Sequence, residues 1–512
     1  MNSKPLFDIE KTAPFLAFRA LREVAENHVG EAAILDLSQG EPGYGFSPNV
    51  RSRKFFAFLI LLDTAFNDHL YEKTLFAYRK ETELDVINKK IIDTANEYYQ
   101  KNVAQNMLGD FEIFISRLQE ICKNQKLEHS RFRVLYELFK YSNLSGGRYP
   151  QPFGQILLQA VSAEEYTNIL GHKIWHDELI SVMGASHGIG AVFKGLGSEG
   201  INFLHEGDSV LMTSPVYAPY NLMFKQRGIN VLSLSIDPIT GDFDSSQIED
   251  LKGSRDRIKA IVLIDPNNPT GFGADDDFFK AILEIAEANN SVIITDEVYL
   301  RFFKDKKSII SLPEARKRLI RIDSISKIER STGVRSGDIY LSKEANKFLS
   351  NYVVDGYLGD YDDLFQLLRF SKSPAGKNIG LFQHITGVPG PSVGITLSHL
   401  LLGKEEREKA TEMIAEKMKI FYETIGFPHA GNFYYGMLDL RDLEGKDWKG
   451  RHVVEKMEAI AKKGVVVMPA NLFFSEHDRN NKDCTNFIRV SLPNLSFDNT
   501  KKAAEIIRDT LK

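Results

Sequence analysis

A chain of 512 residues, 43% hydrophobic and 26% charged, has the make-up of a globular protein with room for several domains. Its formal net charge of -5 gives no electrostatic case for binding nucleic acid or an anionic membrane surface. Only two cysteines occur, Cys122 and Cys484, which excludes a disulfide framework and a cysteine-rich zinc site and fits a reducing compartment.

The N-terminal stretch MNSKPLFDIEKTAPF carries acids early and no apolar core, so it does not read as a signal peptide. The longest apolar run, Phe55 to Leu62, is far short of the ~20 residues a spanning helix needs. A soluble cytoplasmic protein is the expectation. Apolar residues at helical spacing predict a helix over Pro14 to Asn27, and Ala33 to Leu37 reads as a short strand. The loop Gln39-Gly40-Glu41-Pro42-Gly43-Tyr44-Gly45 follows. Residues from about Pro48 to Tyr141 are nearly free of Gly and Pro and read as helices with one charged face, a solvated cap.

From Tyr149 to about Ser342, short apolar runs alternate with helical patterns. The predicted strands are Ser209 to Met212, Asn230 to Leu234, Ala260 to Ile264, Ser291 to Thr295 and Leu319 to Ile322. That alternation argues for an α/β fold with a mostly parallel sheet covered on both faces. Ligands of such sheets sit outside the carboxyl ends of the strands. Beyond Ser342 a long helix is expected from Ser392 to Ile425, followed by strands Asn432 to Leu440, Val465 to Met468 and Phe487 to Ser491 in a smaller α+β region.

Four clusters carry the chemistry: Asp265-Pro-Asn-Asn-Pro-Thr-Gly271, Thr295-Asp-Glu-Val-Tyr299, Ser324-Ile-Ser-Lys327 with Gly333-Val-Arg335, and Phe487-Ile-Arg489-Val-Ser-Leu-Pro493. Alone, each has an ordinary reading as a turn, a helix cap, a solvated lysine or an edge charge. Together they supply what one cofactor needs: an amine, a carboxylate for a pyridine nitrogen, a phosphate cradle and a clamp for a substrate carboxylate.

The set resembles the class I/II aminotransferases, which bind pyridoxal 5'-phosphate in the fold called type I: a large doubly wound, mostly parallel domain and a small α+β domain. The resemblance implies that Lys327 is the Schiff-base lysine and moves a proton at the substrate α-carbon. It implies that Asp296 pairs with the pyridine nitrogen. Tyr299 and Asn268 then reach the 3' oxygen, and Ser324 and Arg335 reach the phosphate, Arg335 lying eight residues after Lys327 (335 − 327). Ala185 and Ser186, in the turn Gly184-Ala-Ser-His-Gly188, match the phosphate-binding turn, with His187 in support. Tyr217 matches the aromatic stacked on the ring. Tyr149 matches the tyrosine that reaches the phosphate of the neighbouring subunit, so a homodimer or higher homo-oligomer is expected. Arg489 matches the arginine of the α-carboxylate clamp, with Gly40 in the loop closing over it and Asn268 beside it.

The long helical segment between Gly40 and Tyr149 resembles the aspartate 4-decarboxylases, which also transaminate aspartate. Arg51-Ser-Arg-Lys-Phe-Phe56 and Arg148-Tyr149-Pro150 add to that likeness. Gln39 stands where that subgroup has an arginine, and Thr270-Gly271 is kept where the subgroup changes it. The expectation is therefore an aminotransferase for aspartate or a similar acidic amino acid and a 2-oxo acid, with aspartate 4-decarboxylase as the alternative. No metal, nucleic-acid or membrane partner is expected. A DNA-binding regulator is disfavoured, because the extra helices lie inside the chain and are not basic. Arg51, Arg53 and Arg148 are candidates for holding a distal carboxylate. The expected division is 1–50 (start of the small domain), 51–145 (helical insert), 146–342 (large cofactor domain), 343–425 (connecting helices) and 426–512 (end of the small domain).

Overall fold

The computed structural model describes residues 5–40, 42, 50–66, 84–141, 144, 155–192, 204, 206–254, 257–303, 306–350, 388–427, 433–481 and 484–512. Two compact units account for the chain. Unit 1 takes Met1–Phe46, Leu204–Lys307 and Lys409–Lys512, and unit 2 takes Ser47–Phe203 and Ser308–Glu408. Tyr149 and Arg148 lie outside the described residues.

In unit 1, strands Ser209–Ser214, Asn230–Ser235, Ile258–Ile264 and Val292–Asp296 pair in parallel. Ser209–Ser214 and Val292–Asp296 are buried along their whole length, as expected for a parallel layer covered on both faces. The register sets Ile264 opposite Asp296 and Ser214 opposite Ser235, so the loops leaving these strands start at one edge. Helix Asp276–Asn289 shows how local chemistry fixes an element. The Asp275 carboxylate accepts from the Phe278 N–H at 2.8 Å, and Asn290 ends the helix in the left-handed region. Its buried residues Phe278, Phe279, Ile282, Ile285 and Ala286 recur at helical spacing.

Unit 1 also holds an antiparallel sheet of Met468–Pro469, Phe487–Ser491 and Tyr435–Asp439, and a parallel pair of Leu35–Asp36 with Val465–Val466. The run read as one strand, Val465 to Met468, is therefore two short strands serving two sheets, with Val467 as the corner. Helix Pro14–Val29 opens on a proline, stops at Gly30 (φ 79°), and buries Phe18, Leu21 and Ala25 with Phe421, Met457, Ile460, Val490 and Ile507. Cys484 is buried in this core.

Unit 2 carries three antiparallel strands, Leu179–Val182, Gly337–Leu341 and Leu319–Ser324. The first two escaped the sequence reading because four- and five-residue apolar runs have no period of their own. Helices Val50–Phe66, Leu84–Tyr98, Lys101–Asn124 and Arg131–Tyr136 occupy the described part of the stretch read as helical. They are more than a solvated cap. Phe55, Phe58, Phe66, Phe111 and Phe114 are at most 1% exposed, and the Phe55 and Phe114 rings meet at 5.0 Å. Each ring contributes roughly 1.5–3 kcal/mol by leaving water. Cys122 lies in the same core, where burial pushes its thiol up to about 12.

The expected helix from Ser392 to Ile425 is two helices, Gly390–Leu402 and Lys404–Ile425. Gly403 caps the first. Its N–H bonds His399 O at 2.9 Å, and a Cβ there would lie 2.6 Å from that oxygen. His399 is fully buried. Its Nδ1 meets Ser52 Oγ at 2.8 Å and its Nε2 meets Ser331 Oγ at 3.0 Å. Burial lowers the ring to about 4, so it stays neutral and ties the insert to the segment just after Lys327. Arg407 pairs with the buried Glu329 in that segment. Among the described residues, no helix is long and apolar enough to cross a membrane.

Asp338 in the strand Gly337–Leu341 is 5% exposed and accepts hydrogen bonds from Tyr166 at 3.2 Å and Ser181 at 3.0 Å. Burial raises it from 3.8 to about 6 against those hydroxyls. A carboxyl raised in the folded state binds its proton more tightly there, so its contribution to stability falls as pH rises from about 4 through about 6. Asp338→Asn cannot ionise. Between pH 4 and pH 7 the unfolding free energy of this variant should gain about 2 kcal/mol relative to the parent in urea titrations. A difference that stays flat with pH would refute the shift.

Candidate active site

In unit 1 the strand ends gather polar groups under aromatic cover. Asp296, the last residue of its strand, is 7% exposed. Tyr220 donates to its Oδ2 at 3.1 Å. Burial, and then the carboxylate itself, holds the Tyr220 hydroxyl well above its ordinary range, so it remains a donor. Tyr220 was missed by the sequence reading. The signal was available in its spacing: it lies three residues after Tyr217, at the start of helix Ala218–Gln226. Tyr217 is 37% exposed and meets the Tyr220 ring edge-on at 6.2 Å. Its turn is pinned by Val216 N–H to Phe473 O at 2.8 Å and by Ser475 N–H to Ser214 Oγ at 2.9 Å.

The loop Asp265–Gly271 is built around Asn267. Its Oδ1 accepts from the Thr270 N–H and hydroxyl, and its Nδ2 donates to Pro215 O at 3.3 Å. Gly271 (φ 79°) permits the turn, and a Cβ there would lie 2.1 Å from Tyr435 O. This frame places Asn268, 4% exposed, with its Oδ1 3.3 Å from Arg489 Nη1. The Asp265 carboxylate holds the start of the loop, accepting from Lys306 at 2.8 Å and from the Ala274 N–H at 2.8 Å.

Arg489 is 4% exposed, and its strand neighbour is Met437. Its Nη2 donates to Ser38 O, its Nη1 meets Asn268, and its Nε is buried with no partner. Among the described residues, no carboxylate pairs with it. A buried cation served only by neutral acceptors carries a desolvation cost that a bound anion would offset. Tyr435 lies beneath the guanidinium, with Arg489 Cζ 4.6 Å from the ring centroid. Its hydroxyl is 3.0 Å from that of Tyr299, which is 5% exposed. Tyr434 donates to Gly40 O at 2.9 Å. Neither Tyr434 nor Tyr435 was singled out from sequence, because two tyrosines inside an expected strand look like core. Gln39 donates its amide to Asp36 at 3.1 Å.

In unit 2 the strand Leu319–Ser324 runs into the turn that carries Lys327, which is half-buried. Arg330 N–H bonds Lys327 O at 3.1 Å, and Ser326 N–H bonds Ser324 Oγ at 3.3 Å. The buried pair of Arg321 and Asp323, 2.9 Å apart, braces the strand. Gly184 (φ 82°) caps a short helix, Ala185–Gly190. Ala185 and Ser186 occupy its first turn, where backbone N–H groups have no helical acceptor. The Arg335 guanidinium packs on this turn, donating to Met183 O at 3.2 Å and Thr332 O at 2.9 Å, with no carboxylate beside it among the described residues. Arg51 is engaged by Asp110 at 2.6 Å, which weakens its claim on a distal carboxylate, whereas Arg53 has a buried Nε with no partner.

Parallel strands with polar groups at their carboxyl ends in one unit, and a strand leading into an amine-bearing turn in the other, fit an α/β fold of the transaminase type. The family model described as aminotransferase class I and II matches residues 142–507, and the chain belongs to that family. Aspartate aminotransferase of Thermotoga maritima is 26% identical over 41% of this chain and 54% of its own length. Human kynurenine–oxoglutarate transaminase 1 is 30% identical over 37% of this chain and 46% of its own. The alignments thus span about half the length of these curated relatives. Among solved structures, Thermus thermophilus aspartate aminotransferase with maleate superposes with TM-score 0.54 at 19% identity over 73% of this chain and 88% of that one. Bna3p of Saccharomyces cerevisiae gives 0.60 at 16% over 99% and 97%. Both likenesses establish the fold.

Gly184→Ala sets a Cβ 2.7 Å from Arg335 Nη2 and forces a left-handed φ on alanine. Urea unfolding of this variant should show a loss of roughly 1–2 kcal/mol. Its affinity for inorganic phosphate, measured calorimetrically, should fall together with stability. Unchanged phosphate affinity would remove this turn from the phosphate site.

Proposed function

We propose that the chain is an aminotransferase that uses pyridoxal 5'-phosphate to move an amino group from aspartate, or a similar acidic amino acid, to a 2-oxo acid. The observation that carries the reading is Arg489, a buried guanidinium with an unpartnered Nε and no counter-charge among the described residues. The residues fit the cofactor as well. Asp296 is a buried acceptor for a pyridine N–H, and Gly184 lacks the Cβ that would fill the space against Arg335. Bound pyridoxal phosphate supplies an aldehyde that condenses with amines and a ring that accepts electrons from the α-carbon.

The protein's part is positioning and proton handling. Lys327 provides the amine and carries the proton to and from the α-carbon. Asp296, held by Tyr220, keeps a proton on the pyridine nitrogen. Tyr217 covers the ring face. Asn268 and Tyr299 reach the 3' oxygen, and Ser324, Arg335, Ala185 and Ser186 hold the phosphate with Tyr149 of a neighbouring copy. Arg489 takes the α-carboxylate with two parallel donors, and the Gly40 loop covers it. The acidic side chain is supported by aspartate aminotransferases among the relatives, from Thermotoga maritima and Sulfolobus acidocaldarius. The helices between Gly40 and Tyr149 favour a second reading, aspartate 4-decarboxylase. Gln39 weighs against it, because a neutral amide already donating to Asp36 adds no charge to orient a β-carboxylate.

Incubation with aspartate should give oxaloacetate and glutamate only when 2-oxoglutarate is present. Alanine and CO₂ in equal amounts without an acceptor would establish the decarboxylase instead. Lys327→Ala should abolish turnover and the visible absorbance of the bound cofactor. Arg489→Gln should raise the KM for the amino acid by about a hundredfold, the loss of a charged bidentate contact.

A further inference from the structure

We propose that Tyr435 is a positioning residue with two separable roles, its ring fixing the plane of Arg489 and its hydroxyl donating to Tyr299. The inference rests on the reading above, because Tyr299 is the group assigned to the cofactor's 3' oxygen. The geometry lies within one unit. Tyr435 is 2% exposed, and its ring lies 4.6 Å from Arg489 Cζ, within the range of a cation–π contact. Its Oη stands 3.0 Å from Tyr299 Oη, and the two rings meet edge-on at 5.4 Å.

Three further contacts leave this ring one position. Gly271 admits the Tyr435 carbonyl where a Cβ would lie 2.1 Å away, and Gly40 admits the hydroxyl at the same distance. Tyr434, at φ 69°, is held in the left-handed region by its bond to Gly40 O. Its ring packs on Tyr299 at 5.0 Å and on Tyr435 at 4.9 Å. A non-glycine residue in that conformation persists only where the surroundings fix it.

The direction of the phenol–phenol bond follows from the charges. Burial raises both hydroxyls, Tyr299 well above its ordinary range, with Tyr435, Tyr434 and Asp296 adding to it. The Arg489 guanidinium offsets part of the rise at Tyr435. Tyr435 is thus the better donor and Tyr299 the better acceptor. Tyr299 keeps its own proton for the 3' oxygen, and a donor behind it strengthens that bond.

Two variants separate the roles in the cofactor-loaded protein. Tyr435→Phe keeps the ring. The pH midpoint of the bound cofactor's absorbance should rise by about half a unit or more, while the affinity for α-methylaspartate, which cannot lose an α-proton, stays within about twofold. Tyr435→Leu removes the ring as well and should weaken α-methylaspartate about tenfold further. An unchanged or lowered midpoint in Tyr435→Phe overturns the donor role. Equal affinities in the two variants overturn the role of the ring. A parent protein that takes up no cofactor overturns the broader reading and this one with it. A parent that takes it up, alongside an unaltered Tyr435→Phe midpoint, overturns this inference alone.

Discussion

The unpaired charge of Arg489 is the constraint around which unit 1 is organised. Moving a guanidinium out of water costs several kcal/mol unless its donors are met. Here Ser38 O and Asn268 Oδ1 meet part of the demand, an aromatic ring faces the guanidinium, and Nε is left over. A protein selected only for stability would have replaced it with an apolar side chain. The proposed function gives the guanidinium an anion to bind. Asn267, Gly271, Tyr434 and the antiparallel strands fix the loops and the sheet around that cation.

Unit 2 shows a different economy. Its strands are short and antiparallel, and the segment just after Lys327 is tied down by buried polar contacts. His399 links Ser52 and Ser331, and Arg407 meets Glu329. Such a network specifies one arrangement only when every member is satisfied. The insert therefore does more than shield solvent. Its first helix supplies Ser52, so the insert and the lysine turn share a hydrogen-bonded core.

Much of this was legible in the residues. The parallel strands of unit 1 announced themselves as apolar runs that end in, or are followed by, Ser or Asp, and the motif residues Asp296, Asn268 and Arg489 fall in one unit. What stayed hidden depended on contacts distant in sequence. Tyr220 and Tyr435 matter through partners 76 and 136 residues away, which no local pattern encodes. Leu179–Val182 and Gly337–Leu341 were too short to carry a period. The break at Gly403 was overlooked because a single glycine inside a helical pattern is often tolerated.

The two cysteines have a consequence of another kind. Cys122 is 1% exposed in the aromatic core of unit 2, and Cys484 is 3% exposed in the core of unit 1. Only an ionised, accessible thiol reacts, so neither is modified while its core is closed. Each unit thus carries its own chemical clock. The rate at which a thiol reagent labels each position in the native protein reads the opening of that core alone, and comparing the two rates tells whether the units open together or one at a time.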